Sequence, residues 1–344
     1  MSVRTLSTPL LDDIAAAYVS YNANHTGMAV VSPSNSISTF SRDGHSRDWI
    51  HESTWDACES ITCIAWAPTE YGNLFATATA TGTVSFWFQS TTPNKEWTRR
   101  AHIRQPPSSS RPATQIAFAP PSFCQHHSND TGAVAAISFI DGFVRLYSSA
   151  TPLDCSQWDP HSEFQVANKE YGGCTCLCWK EKINCDDGDD GDGDGDDNND
   201  NVPPLLVVGT SSGACQLWTY SHRILSWHLV HPSLAAAVGS SSSSGNSRIT
   251  SVAWAPLLGG RRYELLAVAS GTQVTLFSLT GPLDALRVEV VATLSHDDPV
   301  WHVEFNAMAT WLAASTEAGQ VCLWRPDLSG EWLCLNTIVS ESLE

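Results

Sequence analysis

Basic side chains are scarce in this 344-residue chain: 18 Lys and Arg stand against 36 Asp and Glu, a net charge of −18. Phosphate backbones are held by clustered Lys and Arg, so this balance argues against nucleic acid as a direct partner. Nine of the aspartates lie between Asp186 and Asp200, and the remaining chain is only mildly acidic. Long apolar runs are missing as well. No stretch approaches the ~18 apolar residues that a membrane-spanning helix needs. The opening MSVRTLSTPLLDD has neither the apolar segment nor the cleavage pattern of a secretory signal. The 11 cysteines are odd in number and follow no framework spacing, which reads as reduced thiols in a cytosolic or nuclear protein. The sequons at Asn24 and Asn129 are then coincidental.

Catalytic signatures are also absent. The chain contains no GxSxG, no glycine-rich phosphate loop and no HExxH. His126 and His127 sit in a Ser/Asn stretch, and His228, His231, His296 and His302 join no Asp/Glu/Ser constellation, so no enzyme and no cofactor are expected. Cys174, Cys176 and Cys178 alternate, which puts them on one strand face. Structural zinc normally uses CxxC-type turns, so they read as small buried residues, as do Cys322 and Cys334. In the acidic segment, Asp190, Asp192, Asp194 and Gly195 match the first half of a calcium loop. Its twelfth position is Asn201 where a bidentate Glu belongs, and no apolar helices flank it. Residues 185–201 therefore read as a disordered, solvated insertion, and residues 240–247 as a flexible connector.

What the chain does have is a repeat. Residues 299–338 hold four short apolar runs, VWHVEF, WLAAS, QVCLW and EWLCLNTI, each of strand length and separated by turn residues. Equivalent modules cover about 12–57, 60–102, 113–167, 173–231 and 248–295. An aromatic ends the first strand of each: Tyr21, Trp66, Phe118, Trp179, Trp254 and Phe305. A second series, Phe40, Trp87, Tyr147, Trp218, Phe277 and Trp324, closes each third strand. Trp66-Ala-Pro, Phe118-Ala-Pro and Trp254-Ala-Pro share one phrase where proline ends a strand. Gly82, Gly142, Gly213 and Gly319 take the same place in the second hairpin, where φ is positive. A four-strand module of about 40–45 residues repeated six times predicts an all-β, six-bladed propeller in one domain.

Most of the 14 tryptophans are absorbed by core and inter-blade packing, while Trp49, Trp97, Trp227 and Trp332 fall in outer strands, where exposure is expected. Propellers usually close by lending an N-terminal strand to the last blade. Here the first and last modules each carry four strands, and residues 1–11 alternate poorly. The ring is expected to stay open, with a partner adding strands at blades one and six. Ala16, Tyr18 and Ser20 in blade one, and Trp301, Val303 and Phe305 in blade six, are the expected contacts, although only one parity of each strand can face the gap. Such an interface would exceed about 2,000 Å².

The chain resembles the Sec-thirteen-like family of WD-repeat propellers, and within it the Seh-one nucleoporins, over about residues 12–338. The likeness is carried by VWHVEFNAMATWLAASTEAGQVCLWRPDLSGEWLCLNTI, by SVAWAPLLGGRRYELLAVASGTQVTLFSL and by FVRLYSSATPLDCSQWDPHSEFQ. The stretch from Leu153 to Trp158 and the long loop of blade four are similar to Seh-one rather than Sec-thirteen. The resemblance implies an open six-bladed propeller whose seventh blade comes from an α-helical scaffold nucleoporin of the Y-shaped outer-ring complex. It also implies residence at the nuclear pore, a part in protein and mRNA transport, and a second role in a vacuolar or lysosomal coat that regulates TOR signalling. A Sec-thirteen-like vesicle-coat subunit and a peptide-binding WD-repeat adaptor are the alternatives. The departures lie in the WD dipeptides: Trp55-Asp56 and Trp158-Asp159 are not at third-strand ends. There the tryptophans precede Phe88, Thr219 and Arg325, and the hairpin aspartate survives only as Asp141.

Overall fold

Short runs of β-branched and aromatic residues bounded by Gly, Pro and Asn fold as strands throughout the computed structural model. It describes residues 17–46, 48–90, 96–105, 111–124, 132–151, 156–167, 172–180, 205–221, 223–234, 248–256 and 263–339. The acidic insertion 185–201, the connector 240–247 and residues 1–11 lie outside the described residues, and so does Ala16.

Twenty-four strands form six four-stranded antiparallel sheets. The first holds β1 (Tyr18–Tyr21), β2 (Gly27–Val31), β3 (Ser36–Arg42) and β4 (Trp49–Asp56). The second holds β5 (Ile61–Trp66), β6 (Leu74–Thr79), β7 (Val84–Gln89) and β8 (Trp97–Ile103). The third holds β9 (Ala113–Phe118), β10 (Ala133–Phe139), β11 (Phe143–Ser149) and β12 (Asp159–Gln165). The fourth holds β13 (Cys174–Trp179), β14 (Leu205–Thr210), β15 (Cys215–Ser221) and β16 (Ser226–His231). The fifth holds β17 (Ile249–Trp254), β18 (Glu264–Ser270), β19 (Gln273–Thr280) and β20 (Arg287–Ser295). The sixth holds β21 (Val300–Phe305), β22 (Leu312–Thr316), β23 (Gln320–Pro326) and β24 (Trp332–Val339). Six such sheets in sequence order are the blades of a six-bladed β-propeller.

Two compact units carry these sheets. One comprises Met1–Pro121, Asn129–Phe139 and Leu146–His161, the other Ser122–Ser128, Ile140–Arg145 and Ser162–Glu344. In the first unit, Ala29, Val31 and Ile37 of the first sheet pack on Ile61, Phe75 and Trp87 of the second. In the second unit, strand β18 explains why second strands read as unbroken apolar runs. Its Leu266 and Val268 pack on Leu205, Val207 and Leu217 of the fourth sheet, while its Leu265, Ala267 and Ala269 pack on the sixth. A strand sandwiched between two sheets has no solvent face to alternate toward. Each fully buried Leu or Val in such a layer contributes about 1.5–3 kcal/mol.

The first aromatic series ends strands β1, β5, β9, β13, β17 and β21, all six as the sequence predicts. The second series does not close the third strands, which run on past each aromatic by two or three residues. Opposite these aromatics a bulge recurs in the fourth strand. At Phe40, Trp87, Trp218, Phe277 and Trp324 the register shifts, leaving Glu52, Arg100, Val230, Val291 and Leu335 without a partner opposite. A second bulge recurs in the first strands. Thr62, Thr114, Thr175 and Thr250 are the extra residues in sheets two to five, and Trp301 is the extra residue in sheet six.

That second bulge corrects the expectation for the cysteines. Cys174 pairs opposite Thr210 and Cys176 opposite Gly209, adjacent residues that point to opposite faces, so Cys174 and Cys176 do not share one. Both thiols are buried. The hairpin glycines follow expectation: Gly82 and Gly142 have φ of +78° and +84°, and a Cβ would run into Arg111 O and Ala167 O. Trp227 is a further correction. It is buried among Phe123, Phe164, Trp179 and Tyr220, and its indole N–H donates to Ser162 Oγ at 3.1 Å.

Candidate functional site

The second strands of the sheets make the relevant contrast. In sheets two to four, the second strands β6, β10 and β14 are buried at every residue, and β18 is buried except at its ends. Strand β22 alternates instead: Leu312, Ala314 and Thr316 are buried, while Ala313 and Ser315 are half-exposed. The buried residues face the fifth sheet together with Val300, Val303 and Phe305. The opposite face of the sixth sheet is partly exposed, with Ala313, Ser315, Val321 and Leu323 all half-buried. Its cross-strand register aligns Glu304, Ala313 and Leu323 in one row, and His302, Ser315, Val321 and Ile338 in the next. Leu333, Leu335, Ile338 and Val339 of β24 are all exposed aliphatic side chains on a sheet edge.

The residues marked from sequence divide between these surfaces. Val303, 1% exposed, and Phe305, 8% exposed, lie within the packing against the fifth sheet. Trp301 is 56% exposed. The bulge frees it from the buried parity of its neighbours Val300 and Val303. In the first sheet, Tyr18 is 40% exposed, with Val19 and Tyr21 also in solvent. Ser20 shares the face of Tyr18, since the β1–β2 register is unbroken, and its Oγ accepts the Trp66 backbone N–H at 2.9 Å, a bond between the first and second sheets. The structure thus separates Tyr18 and Trp301, which reach solvent, from Ser20, Val303 and Phe305, which join neighbouring sheets.

The chemistry around Trp301 differs from its counterparts. Thr250, at the same bulge of the fifth sheet, donates its hydroxyl to Val300 O of the next sheet at 2.6 Å. Beside it Ser251 Oγ accepts the buried Val303 N–H at 3.2 Å. In the sixth sheet Trp301 and His302 replace that Thr-Ser pair, an indole and an imidazole where two small hydroxyls stood. His302 Nδ1 lies 3.4 Å from Ser251 Oγ, and its Nε2 is 4.0 Å from the Glu304 carboxylate. Burial lowers the imidazole pKa, and the Glu304 charge opposes that. Periodicity could not reveal this surface, because the six modules look alike as strings. The visible signal was the tryptophan at a position otherwise held by threonine.

Among the described residues no three His, Cys, Asp or Glu side chains are grouped to hold a metal ion, and no helix is long and apolar enough to cross a membrane. No family model matches the chain. It is similar to three proteins named Nucleoporin SEH1. Identity is 22% over 338 residues for that of Xenopus tropicalis, covering 93% of this chain and 84% of the relative. It is 26% over 328 residues for that of Drosophila melanogaster, covering 91% and 82%. For the Homo sapiens protein it is 22% over 340 residues, covering 92% and 83%. Among solved structures, Sqt1 of Saccharomyces cerevisiae matches with a TM-score of 0.60 at 13% identity, covering 93% of this chain and 73% of that one. A protein from Lactobacillus plantarum matches with a TM-score of 0.63 at 12% identity, covering 95% and 86%. The structural likenesses establish the fold, and the likeness to the SEH1 nucleoporins, distant but spanning nearly the whole chain, supports a nucleoporin propeller.

Proposed function

We propose that this chain is a non-enzymatic scaffold subunit of the nuclear pore outer ring, and that an α-helical nucleoporin packs strands against the partly exposed face of its sixth sheet. One observation carries the reading: β22 alone among the second strands of sheets two to six alternates between buried and half-exposed residues, beside four exposed aliphatic side chains of β24. A face built like an inter-sheet layer, but left in water, is suited to receive another sheet. Trp301 would be its aromatic anchor. The work is done by binding energy alone, and nuclear pore residence and support of protein and mRNA transport follow from the assembly.

Affinity purification of the tagged full chain with mass spectrometry tests this. Outer-ring nucleoporins are the expected recovery, lost on Trp301→Ala with Leu335→Asp while the thermal midpoint holds. Recovery of vesicle-coat or vacuolar-coat subunits alone, or of no partner, would overturn the assignment.

A further inference from the structure

The chain's few cations are unevenly placed. Arg99, Arg100, Arg104 and Arg111 fall within a short stretch on and just after β8, the outer edge of the second sheet. The first three are exposed, and none of them pairs with a carboxylate among the described residues. Each is nonetheless held from beneath. The Arg99 guanidinium lies over the Trp87 ring at 5.9 Å, and that of Arg100 over Phe88 at 5.6 Å. Arg104 Nε donates to His102 Nε2 at 2.9 Å, and Nδ1 of the same imidazole contacts the hydroxyl of buried Ser85 at 3.0 Å. His102 is therefore neutral, with its proton on Nδ1. Burial, and then Arg99, lower its pKa, and the Glu59 carboxylate opposes them.

The bulge at Arg100 sets the arrangement. Arg99 pairs opposite Trp87 and His102 opposite Ser85, so both project from one face although an odd number of positions separates them. Arg100 lies over Phe88, which points to the opposite face from Trp87, so three guanidiniums with little side-chain freedom left to lose flank this strand edge from both sides.

The plain alternative is that these arginines only deter edge-to-edge aggregation. Charge of either sign would serve that purpose, and the other outer strands do without such a cluster: β4 and β12 carry carboxylates, and β24 carries no charge. We infer that the β8 edge is a docking site for an acidic, extended segment of a partner protein, separate from the sixth-sheet face. The partner's backbone would extend the second sheet, and its Asp or Glu side chains would pair with Arg99, Arg100 and Arg104. An amide ladder is what a peptide offers and a nucleic acid does not, and the chain's overall negative charge repels long polyanions.

The test uses the full chain and a short fluorescein-labelled peptide with Glu at consecutive positions flanked by Val, read by anisotropy. Saturable binding is expected, weakened by raising ionic strength from about 0.05 M to about 0.3 M. The Arg99→Glu/Arg100→Glu/Arg104→Glu variant should lose roughly tenfold or more in affinity, while Arg287→Glu, on the outer strand of the fifth sheet, should lose none. Should the triple variant misfold, Arg104→Gln alone, checked by circular dichroism, must still weaken binding. No binding, binding indifferent to these variants, or tighter binding of a single-stranded RNA of equal charge would overturn the proposal.

Discussion

Trp324 donates its indole N–H to Nε2 of His296 at 3.1 Å, with the two rings at 67°. The bond ties the third strand of the sixth sheet to the segment leaving the fifth, and it requires a neutral imidazole. Burial lowers the His296 pKa, against the backbone of Thr272 and Leu294 and the charge of Asp297. The unfolded chain therefore takes up the proton first as pH falls below about 6.5, and stability present above that value is lost as pH drops toward the folded pKa. The thermal midpoint should fall between about pH 7 and pH 5.5. His296→Gln should show a shallower fall, and equal slopes would refute the assignment.

Trp301 and Phe305 share a strand but have opposite standing. Phe305→Ala empties a buried site against the fifth sheet and should cost about 3–5 kcal/mol in urea unfolding. Trp301→Ala removes an exposed ring and should stay within about 0.5 kcal/mol. Similar costs for the two would mean that the exposed face is in fact packed.

Ser251→Ala deletes the acceptor of the buried Val303 N–H. A stranded donor costs about 1–3 kcal/mol, more than the net worth of an ordinary hydrogen bond. Chemical denaturation, and faster amide exchange at Val303, would report it.

Gly82→Ala forces a side chain onto a backbone with φ of +78° and into Arg111 O. The expected loss is about 1–3 kcal/mol, against little effect for Gly44→Ala, where nothing stands within 4 Å.

Thiol labelling should divide the described cysteines. Burial pushes Cys63 and Cys176 up to about 12, so iodoacetamide near neutral pH should leave both intact in the native protein. Cys58 and Cys334 are exposed and should alkylate first, as peptide mapping by mass spectrometry would show.

The strand-ending aromatics recur in all six modules, the Ala-Pro phrase in three and the hairpin glycine in four, and together they make the six-bladed fold legible, because each marks a local backbone event. Bulges were not legible. An inserted residue leaves no mark on a run of alternating side chains, yet it reverses every parity beyond it. The shared face expected for Cys174 and Cys176 fails for that reason, and the string does not fix the parity of Trp301 against Val303. Trp227 shows a different gap: an outer strand is exposed only where nothing covers it, and here Phe123 and Phe164 do. The cluster on β8 is not legible in the string because its basis is a ring beneath each guanidinium, from the neighbouring strand for Arg99 and Arg100 and from His102 of β8 itself for Arg104.

A sheet that keeps Leu333, Leu335, Ile338 and Val339 in water also bears on how much of the protein a cell can hold. Exposed aliphatic edges are what chaperones retain and what quality-control proteolysis removes, so under the proposed assembly copies made in excess of the covering partner would be short-lived. Abundance would then follow the scarcer member of the pair, and the partly exposed face would act as a stoichiometric gauge before it ever becomes an interface.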